Sequence, residues 1–274
     1  VKIAVGIFDT GDEGLHGVVI FGADGIELVI VAAGAADAES EESLADVHDH
    51  LVDGILSCEA LGGIVLADLA ADLEADYALL YDNYIGAKKM TLDEVKATSE
   101  YKDFLVKLPF LYDGLTDTPE IAAEYSYPWV CFLCEGMTKS EVQKMAIEAL
   151  NDALPRKSEK ITMKAPTDLV RKAAVASYTY KAGIRLSLGI VDMMSKMRAT
   201  GWKVWVVSAS FEPVIQAVGA INGYDVPEDR VIGVRLQTDA SGKYIAKLSE
   251  EPGYELTQRM GKATVIRNFI KQAP

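Results

Sequence analysis

Residues 1–87 contain no proline, methionine or tryptophan, and their one basic residue, Lys2, stands against 18 aspartates and glutamates. That part carries a net charge of −17, while residues 88–274 hold 26 basic and 23 acidic side chains and carry +3. A chain at −14 with no basic stripe lacks the electrostatic footprint of a nucleic-acid binder. No run of 18 apolar residues is present, so no membrane span is expected. No secretory leader is visible, although the first residue is Val1 rather than Met, which leaves a removed leader open. Cysteine is scarce: Cys58, Cys131 and Cys134 are the only three. Cys131 and Cys134 have C-x-x-C spacing within "YPWVCFLCEGMT", but no second pair and no neighbouring histidine follows. Such thiols read as buried packing residues rather than zinc ligands, and a reducing, cytoplasmic setting is expected. G-x-G-x-x-G is absent from "VIFGADGIELVIVAAG", which removes the dinucleotide-binding reading.

Half of the 274 residues are hydrophobic, enough for one large domain or for a core with an inserted subdomain. Segments 1–9, 17–25 and 25–34 read as buried strands, the first two ending in acidic, glycine-containing turns. Residues 38–85 read as mostly helical, with Ser40 as a cap. Thr91 with Glu94, and Thr138 with Glu141, have the spacing of capping boxes. A helix over "GIVDMMSKMRAT" closes at Gly201. Then follow strand "WKVWVVSAS", helix "FEPVIQAVGAIN", strand "DRVIGVRLQ", hairpin "TDASGKYIAKL" and a last helix opening with Gly261-Lys262. This order predicts an α/β fold: a Rossmann-like core with a parallel sheet from residues 1–76 and 181–274, and an inserted helical cap over 77–180.

In "VWVVSASFEPVIQAVGA" the spacing puts Ser208 at the carboxyl end of a strand and before a helix, where open α/β sheets bind ligands. Its hydroxyl and nearby backbone N–H groups suit a phosphate oxygen, and Lys262 suits the same anion as a point charge. Taken singly, Ser208 also reads as a helix N-cap and Lys262 as a solvated helix residue.

Together, "GWKVWVVSASFEPVIQAVGAINGYDVPEDRVIGVRL" and "GKATVIRNFI" resemble the haloacid dehalogenase (HAD) superfamily of phosphatases. Ser208 matches the second motif of that family and Lys262 the third. The stretches "YKDFLVKLPFLYDGLTDT" and "YSYPWVCFLCEGMTKSEV" resemble the cap of its phosphoserine- and phosphorylcholine-phosphatase-like subgroup. The resemblance runs from about residue 77 to the end. It implies Mg²⁺-dependent hydrolysis of a small phosphate monoester through an aspartyl phosphate, with no nucleic-acid or membrane partner.

The first motif of the family, Asp-x-Asp, is not intact. In "VVIFGADGIEL" Gly22 stands where the nucleophile belongs, Asp24 matches the second Asp and Ile26 replaces a Thr. "IAVGIFDTGDEGL" offers Asp9 after a strand, with its next Asp at Asp12. "GIVLADLAADL" offers Asp68 and Asp72. Asp9 and Asp24 are thus the candidate catalytic and Mg²⁺-binding carboxylates. The acidic fourth motif does not follow Lys262; "IAVGIFDTGDEGL" is similar to it. A phosphate-ligand binder of the same fold without turnover is the alternative. A remoter one, from the likeness of "GIFDTGDEGL" to amino-acid racemases, would need two catalytic cysteines. Tyr125, Tyr127, Trp129 and Phe132 read either as packing between cap helices or as a cage for a quaternary ammonium group. His16, His48 and His50 read as solvated.

Overall fold

The computed structural model describes residues 4–9, 16–21, 29–33, 66–117, 126–221, 223–258 and 260–270. Strands β1 (Ala4–Asp9), β2 (His16–Phe21) and β3 (Val29–Ala33) form an antiparallel sheet in that order. The connections, residues 10–15 and 22–28, are shorter than the crossover of about a dozen residues that a parallel pair requires. The parallel sheet expected here is therefore replaced by a meander.

The helical part begins with α1 (Leu66–Ala78), which runs on as a π-helical segment over Leu79–Ala87. Next come α2 (Leu92–Ala97), α3 (Ser99–Asp117), the single turn α4 (Trp129–Phe132) and α5 (Lys139–Ala153). Both capping boxes form as their spacing predicts. Thr91 Oγ accepts from Glu94 N–H while Glu94 Oε2 accepts from Thr91 N–H at 2.8 Å, and Thr138 with Glu141 repeats the pattern at 2.6 Å. The region read as helical with loops also contains an antiparallel ribbon, β4 (Glu159–Lys164) with β5 (Ser177–Ala182). Its sequence alternates: Tyr178, Tyr180 and Ala182 turn into the core while Ser177, Thr179 and Lys181 face solvent, the period of a strand rather than a helix.

Helix α6 (Leu188–Ala199) leads into β6 (Val206–Phe211), α7 (Glu212–Gly219) and β7 (Val231–Val234). Strands β6 and β7 are the parallel pair among the described residues. The expected hairpin forms from β8 (Leu236–Thr238) and β9 (Tyr244–Leu248), and helix α8 (Met260–Val265) follows. Gly201 takes a φ of 88° just after α6, the left-handed conformation its closing position calls for. A continuous core joins Leu69 and Leu73 of α1, Leu111 of α3, Met145 of α5, Phe211 and Val214. A smaller cluster of Met194, Ile215, Val226 and Val231 holds α6 to the parallel pair.

Candidate functional site

Ser208 lies within β6 rather than past its end. Val206 and Val207 pair with Val231 and Ile232, and pairing resumes only at Phe211 with Val234. Four residues of advance on β6 thus meet two on β7, so Ser208–Ser210 bulge out of the ladder. The cause is local. Ser208 Oγ accepts the Ser210 backbone N–H at 3.1 Å, a turn that competes with strand pairing. Ser208 does not cap α7: Phe211 stands at the N-cap and makes no side-chain cap bond. With its oxygen accepting from Ser210, the half-buried Ser208 hydroxyl keeps its hydrogen to donate.

Gly233 lets β7 press against this bulge. A Cβ there would stand 2.6 Å from both Ser210 O and Glu212 Cα, too close for any side chain. The Gly233 N–H donates to Glu212 Oε2 at 3.0 Å, and Arg235 Nε donates to the same oxygen at 2.7 Å. Burial raises the Glu212 carboxyl above the usual carboxylate range, against the pull of the Gly233 N–H and the Arg235 charge. Arg235 also pairs with Glu251 at 2.6 Å and lies against the rings of Tyr254 and Phe269. The Tyr254 hydroxyl donates to Gly233 O and accepts from Arg235 N–H. Arg235 therefore ties the start of α7 to the loop before α8. Residues 21 to 23 apart in the chain meet here, and no motif spacing announces them.

Helix α8 lies beside β6, which brings the Lys262 helix to the Ser208 strand. Gly261 fits against the Leu256 carbonyl, where a Cβ would stand at 1.8 Å. Lys262 is half-buried and makes no ion pair with any described residue. The described structure thus brings the Ser208 and Lys262 elements side by side.

The two carboxylates expected to be catalytic fall largely outside the described residues. Asp9 ends β1 in register with His16, and its side chain lies outside the described residues, as does all of Asp24. Asp68 and Asp72 sit in α1, so "GIVLADLAADL" does not furnish the strand end that a first-motif aspartate occupies. Among the described residues, no three histidine, cysteine, aspartate or glutamate side chains converge to hold a metal ion.

The aromatic segment packs. Trp129 is buried and stacks on Tyr112 with ring centroids 6.4 Å apart, and the Tyr112 hydroxyl donates to Tyr127 O at 3.4 Å. Tyr125, Cys58, Ser40, His48 and His50 lie outside the described residues. Cys131 and Cys134 are buried, and burial pushes the Cys134 thiol well up, which disfavours the thiolate that metal binding or nucleophilic attack requires.

No described helix is long and apolar enough to cross a membrane. No protein-family model and no curated protein matches the chain. Its fold is similar to the crystal structure of a conserved functionally unknown protein from Anaerococcus prevotii DSM 20548, with a TM-score of 0.65 and 27% identity over 74% of this chain. The match covers 53% of that protein, so the chain spans about half its length.

Proposed function

We propose that this α/β chain carries the phosphate-binding part of a HAD-type phosphomonoesterase acting on a small phosphorylated substrate. The observation that carries the reading is the opening of the β6 ladder at Ser208, beside the helix that bears Lys262. The Ser208 O–H donates to a phosphoryl oxygen, and the Lys262 ammonium neutralises its charge. Pro213, in the first turn of α7, has no N–H, and Glu212 beside it is acidic. Anion binding therefore rests on these two side chains more than on the α7 terminus. The reading assigns nucleophile and Mg²⁺ to the acidic first part, with Asp9 and Asp24 as the carboxylates. A helical cap over 77–180 would select the substrate.

Hydrolysis of p-nitrophenyl phosphate with and without Mg²⁺ tests it, on wild type and on Ser208→Ala, Lys262→Ala, Asp9→Asn and Asp24→Asn. The reading expects Mg²⁺-dependent turnover that falls in the first two variants and vanishes in one aspartate variant. Absence of turnover, with orthovanadate still bound through Ser208 and Lys262, would instead make the chain a phosphate-ligand binder. Absence of both sinks the assignment.

A further inference from the structure

Five charged side chains meet in the interior, none of them part of the phosphate site proposed above. Asp72 and Asp76 come from successive turns of α1, Asp103 and Lys107 from successive turns of α3, and Arg171 from the loop joining β4 to β5. Asp72, Asp76, Asp103 and Lys107 are between 0% and 3% exposed. Lys107 Nζ donates to Asp72 Oδ2 at 2.8 Å and to Asp103 Oδ2 at 2.7 Å. Asp72 also accepts the backbone N–H groups of Lys172 and Ala173, each at 2.9 Å. Arg171 pairs with Asp76 Oδ1, and its Nε lies 3.6 Å from Asp103 Oδ2.

Three carboxyls thus share two cations. With all five ionised, one negative charge is left uncompensated in a sealed site, a state that buried groups avoid by taking up a proton. The geometry names the carboxyl that takes it. Asp72 is surrounded by donors. Burial opposes its ionisation, yet Lys107 and the two backbone N–H groups outweigh that and hold its carboxyl low. Asp76 Oδ2 is buried with no donor in reach. A proton on that oxygen gives it a bond to make, and the Asp103 carboxylate is the neighbouring acceptor. We propose that Asp76 holds a proton shared toward Asp103, and that this proton fastens α1 to α3 beneath the β4–β5 loop as a clasp that weakens as pH rises.

Among the described residues, the charged and titratable groups around Asp76 are Asp72 on its own helix, Asp103 and Lys107 on α3, Arg171 on the loop, and Tyr84 on the π-helical segment. Burial first, then the Asp103 charge, push the Asp76 carboxyl up from 3.8 to about 7, against Arg171. The sign follows. The closed clasp binds the proton more tightly than an open or unfolded chain does. Opening therefore becomes easier as pH rises from the ordinary carboxylate range to about 7, by about tenfold per pH unit for one proton, and levels off above.

The test follows urea unfolding of the full chain between pH 4.5 and 8 for wild type and Asp76→Asn, whose amide stays neutral throughout. Wild type is expected to lose stability relative to the variant by about tenfold in the unfolding constant per unit below pH 7. Parallel pH profiles overturn the proposal. A ¹³C-carboxyl titration of wild type decides independently should the variant fail to fold. A midpoint for Asp76 near 7 supports the clasp, and a midpoint near 4 refutes it.

Discussion

Helices α5 and α6 are both rich in apolar residues, yet α5 buries six side chains and α6 buries only Met194. Leu188, Met193 and the nearby Trp202 stay exposed, and Val204–Ala209 are only half-buried. The helical block is sealed, whereas α6 and the first part of β6 are thinly covered by the described residues, although α7 and β7 behind them are buried. The difference divides the polar groups as well. In the sealed block charges are spent on one another, as Lys107 spends its donors on Asp72 and Asp103, and Asp76 Oδ2 is left over. In the open unit Ser208 and Lys262 keep hydrogen-bonding capacity for something else. Perturbed and buried charge therefore marks structure in this molecule, while modest burial with spare donors marks the candidate site.

The comparison can be broken by mutation. Lys107→Ala strands Asp72 and Asp103 without their shared cation, and a loss of about 3–5 kcal/mol is expected in urea denaturation. A loss under about 1 kcal/mol would mean that the block admits water. Gly233→Ala drives a Cβ into Ser210 O and Glu212 Cα, and should cost about 1–3 kcal/mol while disordering the Ser208 bulge. Circular dichroism melts and amide exchange at Ser210 would read both effects. Ser208→Ala should leave stability within about 1 kcal/mol but weaken orthovanadate binding about tenfold or more, since one charge-assisted hydrogen bond is lost. Unchanged binding would return Ser208 to a purely local turn. The smallest effect belongs to the surface pair of Lys139 with Glu228, whose side chains are 45% and 52% exposed. Lys139→Ala should cost below about 1 kcal/mol, and less at high salt.

Local signals in the chain were legible where the chemistry is short-ranged. Thr91-x-x-Glu94 and Thr138-x-x-Glu141 cap helices because the partners lie three residues apart and need no tertiary help. The β8–β9 hairpin and the Gly201 closure followed from turn chemistry in the same way. The β4–β5 ribbon was missed: "EKITMK" and "SYTYKA" alternate, but their pairing depends on a partner across the intervening loop. The helical reading around Asp68 and Asp72 also holds: Leu66, Leu69 and Leu73 line one face of a helix packed on α3, so neither aspartate stands at a strand end. The Glu212–Arg235–Tyr254 network and the Asp76 clasp had no sequence signature at all.

What the sequence determined alone is local: caps, turns, the apolar alternation of strands, and the strand–Ser208–helix order with Gly261-Lys262 downstream. These rest on neighbours within a few residues, where backbone geometry sets the outcome. The tertiary structure decided which face each element buried, where the β6 ladder opened, and which of the many carboxylates became sealed against a cation. Those outcomes depend on groups up to 101 residues apart, such as Asp72 with Ala173. Burial and charge pairing act through space, and only packing fixes which residues share it.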